Sequence, residues 1–186
     1  MNVQLSQKKN KFFWKWLLVN SISWPIGIII AIIFSYAIVN RFYHHETNLI
    51  LGLCIGSAVG FSQWLMLKRY FKIGLSWTLA AAIGIGLPFV IIFVLYEVNG
   101  KECLTTGIVI INQMIILFIG GLIAGFLQCH IMKPLTRKFK WWIIISALAW
   151  GLGGVNIIIG GLVLGLITGI TLLRLFDFSV EVVDDK

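Results

Sequence analysis

Gln63, Gln128 and Thr168 each follow two glycines in the same spacing. The three stretches read Gly56-x3-Gly60-x2-Gln63, Gly121-x3-Gly125-x2-Gln128 and Gly161-x3-Gly165-x2-Thr168. Lys68 and Lys133 come five residues after each glutamine, and Arg174 follows Thr168 one residue later than that. On a helix, glycines four apart open a smooth stripe where another helix can approach closely. The polar residue lies one turn further along, on nearly the same face. An amide facing hydrocarbon is costly, so it must bond across to a neighbouring helix or hold a polar ligand. The nine residues are therefore expected to pack helices together or to face a partner.

A fainter motif carries Trp24-Pro25-Ile26-Gly27 and Trp150-Gly151-Leu152-Gly153, with Ile83-Gly84-Ile85-Gly86 as a third copy lacking the Trp. Trp24 and Trp150, with the amides of Asn112 and Asn156, are the candidate lining of a small pocket. Asn20 and Gln113 belong to the same class of apolar-embedded amides.

Other chemistry is sparse. All seven carboxylates (Glu46, Glu97, Glu102, Asp177, Glu181, Asp184 and Asp185) lie outside the long apolar runs, so no acid is placed to relay protons or sodium ions. His130, beside Cys129, is the one histidine inside such a run, and a single imidazole is weak grounds for a cofactor. His44 and His45 are adjacent and cannot readily share one rigid metal site. Cys54, Cys103 and Cys129 show no metal-ligand spacing. Nucleophile-elbow, zinc-protease and phosphate-loop patterns are missing. The expectation is a protein without catalytic residues, metal or cofactor.

The elements that must position these residues follow from composition. Hydrophobic residues make up 59% of the 186 and charged residues 12%, about half the usual charged share of a soluble domain. The apolar residues come in long blocks, which points to helices solvated by lipid. The net charge of +8 is not gathered into a nucleic-acid-binding face. Spans are expected at about 17–39, 49–67, 75–96, 108–132, 141–155 and 157–176. The last two come from dividing 141–176, too long for one helix, at Gly153-Gly154-Val155-Asn156. The first run is longer than the roughly 7–15 residues of a signal-peptide core, so it reads as an uncleaved helix.

Loop charges orient the helices. Thirteen of the fifteen Lys and Arg precede the first span, lie in the second-to-third and fourth-to-fifth loops, or end the chain; only Arg41 and Lys101 fall in the opposite loops. Cytoplasmic loops hold the basic excess, so both termini are expected in the cytoplasm of a bacterial cell, with the protein in its inner membrane. Trp14, Trp16, Trp77, Trp141 and Trp142 stand at the cytoplasmic entrances and read as interfacial anchors. Residues 1–16 form a basic, aromatic cytoplasmic segment, 17–176 the membrane domain and 177–186 a short acidic tail. The fold class is all-α: a polytopic membrane protein whose six transmembrane helices form three tandem helical-hairpin repeats.

Repeated Gly-x3-Gly-x2-Gln-Trp-x-Leu-x-[Lys/Arg] helices with a Trp-bearing return helix resemble a group of uncharacterised multi-pass bacterial membrane proteins, common in cyanobacteria. The resemblance covers about 48–176 and is best from Gly56 to Arg69, where Met66 stands at the motif's Leu, while Cys129 and Ile131 replace the motif's Trp and Leu in the second copy. It implies a membrane domain, in some members attached to signalling modules, with no activity attached. The expected role is a non-enzymatic scaffold, interaction or sensory subunit of a membrane complex. Its partners would be the lipid bilayer and other membrane subunits or a second copy, with no nucleic acid. The alternative is a small-molecule-binding or solute-passing transporter subunit.

Overall fold

A computed structural model describes residues 3–39, 44–99, 106–136, 138–156 and 158–176, with side chains described for 4–37, 50–94, 112–136, 138–156 and 158–176. Every carboxylate lies outside the described side chains, as do those of Arg41, His44, His45, Lys101, Cys103, Arg137 and Lys186. Within the described residues the chain is all-helical. Its elements are α1 (Val3–Val39), α2 (His44–Leu67), α3 (Ser76–Asn99), α4 (Thr106–Met132), α5 (Trp141–Gly153) and α6 (Gly160–Leu175).

Four helices contain stretches long and apolar enough to cross a membrane: Gln4–Ala37, Ile50–Leu67, Ser76–Val94 and Asn112–Met132. Their outer faces are apolar, with Leu18, Ile22, Ile29 and Ile33 on α1 all about half exposed, a surface suited to hydrocarbon. The other two helices are shorter, at 13 and 16 residues, against the roughly 20 that a hydrocarbon core requires. Segment 141–176 is thus a helical hairpin, and its arms are short. The turn has local causes. The Gly154 N–H folds back onto the Trp150 and Gly151 carbonyls, ending α5. Asn156 Oδ1 then accepts from the Ile158 and Ile159 N–H groups at 2.9 and 3.4 Å, immediately ahead of α6.

α1 begins well before residue 17, so most of the basic segment continues the first helix. Leu5 and Phe12 on this extension pack against the end of the bundle. Phe12 meets Tyr70 edge-on at 5.1 Å, and Phe71 stacks on Phe176 at 4.0 Å, so the α2–α3 connection and the end of α6 cover the same end.

Each helix packs on its neighbours in sequence, and α6 returns to α1. The six therefore make a closed ring. Fully buried side chains fill its interior in layers set by the four-residue helical repeat. Leu67, Met132 and Leu172 form one layer, and Val59, Ala124 and Leu164 another, all at 0% exposure. Between these two layers lie Gln63, Gln128 and Thr168.

Candidate functional site

The glycine pairs bring three helix pairs together in the same manner. A Cβ on Gly56 would stand 2.8 Å from the Ala81 carbonyl oxygen and 3.0 Å from Ile85 Cβ. On Gly121 it would stand 2.7 Å from the Ser146 carbonyl oxygen and 2.9 Å from Trp150 Cβ. On Gly161 it would collide with the Asn20 carbonyl oxygen and lie 2.6 Å from Trp24 Cβ. Gly60, Gly125 and Gly165 meet the same helices one turn on, against Ala81, Ser146 and Asn20. The stripes of α2, α4 and α6 thus press on α3, α5 and α1 respectively. All six glycines are occupied within the chain, and none of the six faces outward.

This geometry corrects the alignment of the weaker motif. Trp24, Ile85 and Trp150 take the same place against their glycines, so the third copy is centred on Ile85, two residues later than Ile83. Ile83 itself is exposed on the outer face of α3.

Each glycine pair sets a polar side chain against an indole. Trp77 Nε1 donates to Gln63 Oε1 at 3.1 Å, and Trp142 Nε1 to Gln128 Oε1 at 2.8 Å. Trp16 Nε1 donates to Thr168 Oγ1 at 2.9 Å, joining residues 152 apart in sequence. Six side chains from six different helices thus form three cross-ties at one level. Trp77 and Trp142 lie 5.6 Å apart there. The level is almost dry, since Trp16, Trp77 and Trp142 are at most 1% exposed and their acceptors at most 3%. An indole N–H in such surroundings needs an acceptor, and each bond removes two desolvation costs together.

The ties are not identical. Gln63 continues the chain of bonds, its Nε2 donating to Asn20 Oδ1 at 2.8 Å while Asn20 Nδ2 donates to the Trp16 carbonyl at 2.8 Å. One network therefore runs from α3 through α2 and α1 to α6. The position on α3 that corresponds to Asn20 is Ala81, which has no acceptor to offer Gln128. Thr168 also donates to the Leu164 carbonyl in its own helix.

Reading Trp16, Trp77 and Trp142 as interfacial anchors needs correction: all three are interior hydrogen-bond donors. Trp14 and Trp141, about 60% exposed, lie on the outside. The signal was present in the equal separation of 14 residues between Gln63 and Trp77 and between Gln128 and Trp142. The third tie spans the ends of the chain and has no short sequence spacing.

Of the candidate pocket residues, Trp24 and Trp150 come together, with ring centroids 5.4 Å apart and exposures of 2 and 4%. They belong to an apolar cluster with Ile85, Phe89, Leu117 and Leu164. Asn156 is exposed in the α5–α6 turn, and Asn112 is half-buried on α4. His130 points to the outside of the bundle, with Nδ1 3.0 Å from the Phe126 carbonyl. Among the described residues no three His, Cys, Asp or Glu side chains gather as a metal site. No family model matches the chain, and no curated protein or solved structure matches it.

Proposed function

We propose that this chain is a non-enzymatic subunit of a bacterial inner-membrane complex, a scaffold or interaction module built from three tandem helical hairpins with both termini in the cytoplasm. The observation that carries this reading is the layer of three indole cross-ties. It spends the interior polar side chains on holding six helices in a ring, and it fills the ring at one end. Leu67, Met132 and Leu172 close the next layer, and Phe12, Tyr70, Phe71 and Phe176 lie beyond it. A solute-passing subunit would need a path through those layers. The surface left for recognition is the apolar outside of the ring together with its basic end, so the partners would be lipid and other membrane polypeptides.

The glycine pairs support the same reading, because their close contacts give a rigid body whose outer face can be presented reproducibly. Native mass spectrometry of the full chain, extracted in mild detergent from its own membrane, tests the proposal. The expected species contains a second polypeptide, or a second copy, at fixed stoichiometry. A lone chain that retains one small molecule per copy would overturn it and favour a ligand-binding transporter subunit.

A further inference from the structure

The three hairpins start at one level and end at two. From the layer of Trp16, Trp77 and Trp142, α1 runs 23 residues to Val39 and α3 runs 22 to Asn99, about 33–35 Å in each case. α5 runs only 11 residues past Trp142 to Gly153, about 17 Å. The contact between Gly153 and Gly160 shows that α6 starts at the same height. Gly27 on α1 occupies the register of Gly153, and α1 continues for twelve residues beyond it. With the indole layer near one interface, the α5–α6 turn stops close to the middle of a hydrocarbon core of about 30 Å.

We propose that α5–α6 is a re-entrant hairpin, entering and leaving by the cytoplasmic face, with its tip inside the membrane beneath a water-filled notch open to the other side. This rests on the membrane reading above. The topology agrees, because both chain ends remain on the basic side whether α5–α6 crosses or returns, and residues 153–160 carry no charge.

The notch follows from the ring. α5 and α6 separate α1 from α4, which make no direct backbone contact among the described residues. Above the tip that separation persists without the hairpin between them. Water follows from the chemistry of the turn. Non-helical backbone at membrane depth survives only when buried in protein or lining an aqueous cavity. Val155, Asn156, Ile158 and Ile159 in the turn are exposed, so protein does not bury them. The adjoining turn of α4 is polar as well. A Cβ on Gly154 would lie 3.5 Å from the Gln113 carbonyl oxygen, and Asn112 is next to it in sequence. The aliphatic side of the tip, where Ile158 is 81% exposed, is left to lipid.

Spin labels in nanodiscs test the depth. They would be placed singly at Val155, Ile29 and Tyr36 in the full chain, after Cys54→Ser, Cys103→Ser and Cys129→Ala. The label at Val155 should match the depth of that at Ile29 and lie about 10 Å deeper than that at Tyr36. A Val155 label at the Tyr36 depth would overturn re-entry. If the Ile29 label also failed to sit in hydrocarbon, the membrane reading itself would fail, which separates the two outcomes. Hydrogen exchange of the unsubstituted protein in the same nanodiscs needs no variant. Amides at 154–159 should exchange as fast as interhelical loops, and protection equal to that of the α5 interior would overturn the water-filled notch.

Discussion

The α2–α3 and α6–α1 interfaces use the same parts in the same places, yet a short connection joins the helices of only one of them. Gly56 and Gly60 press on Ala81, with Gln63 tied to Trp77 fourteen residues on. Gly161 and Gly165 press on Asn20, with Thr168 tied to Trp16 across nearly the whole chain. When contacts fail at α2–α3, the covalent link keeps the helices close. When they fail at α6–α1, no short connection holds the two helices together, and the ring can open while the other helix–helix interfaces stay packed. The same local chemistry therefore maintains a hairpin in one place and closes the architecture in the other.

The largest predicted effect breaks that closure. Gly161→Leu places a side chain where even a Cβ would collide with the Asn20 carbonyl, and overpacking of this kind costs about 3 kcal/mol. Spin labels at the exposed positions Leu18 and Ile170 should then move apart by on the order of 10 Å as α6 swings away by about one helix diameter. Gly56→Leu meets a similar obstruction and should lower stability by about 2 kcal/mol. It should leave the Leu18-to-Ile170 distance unchanged. Equal opening in both variants would show that the connection between helices makes no difference.

The next comparison sets Gln63 against Gln128. Gln63→Leu strands both the Trp77 N–H and Asn20 Oδ1, whereas Gln128→Leu strands the Trp142 N–H. Losses of about 2 and about 1 kcal/mol are expected in reversible unfolding from mixed micelles. Equal losses would mean that the bond to Asn20 contributes nothing. Ala81→Asn gives the opposite test. It offers Gln128 the acceptor that Asn20 offers Gln63, but the Ala81 methyl already touches Gly60, so steric cost should outweigh the new bond by about 1 kcal/mol.

Much of this frame is legible in the sequence. Helices hydrophobic on nearly every side leave long blocks, and glycine pairs leave a spacing that marks the contact face. Burial of Trp16, Trp77 and Trp142 was harder to read, because a tryptophan at the start of an apolar run looks the same whether its ring faces headgroups or turns inward. Trp141 and Trp142 are adjacent and take opposite fates: they lie about 100° apart around the helix, and only Trp142 faces Gln128. The ring-closing tie was invisible for another reason. Residues 152 apart leave no local period, and Thr168 became recognisable as a partner only through the glycines before it. The Ile85 register escaped because glycine abundance on α3 offers several alignments, and contact with Gly56 decides among them.

The smallest predicted effect concerns Thr168, and it separates the closure's hydrogen bond from its packing. Thr168→Val keeps the volume and removes the acceptor of the Trp16 indole, together with the bond to the Leu164 carbonyl. That carbonyl retains its place in the backbone of α6, so only the indole is stranded. Polar pairs between membrane helices average about 0.6 kcal/mol in double-mutant cycles, and a coupling of that size is expected between Thr168→Val and Trp16→Phe. The Leu18-to-Ile170 distance should not change. If Thr168→Val opened the ring as far as Gly161→Leu, the hydroxyl would be the closure, and the glycine contact would only shape the surface around it.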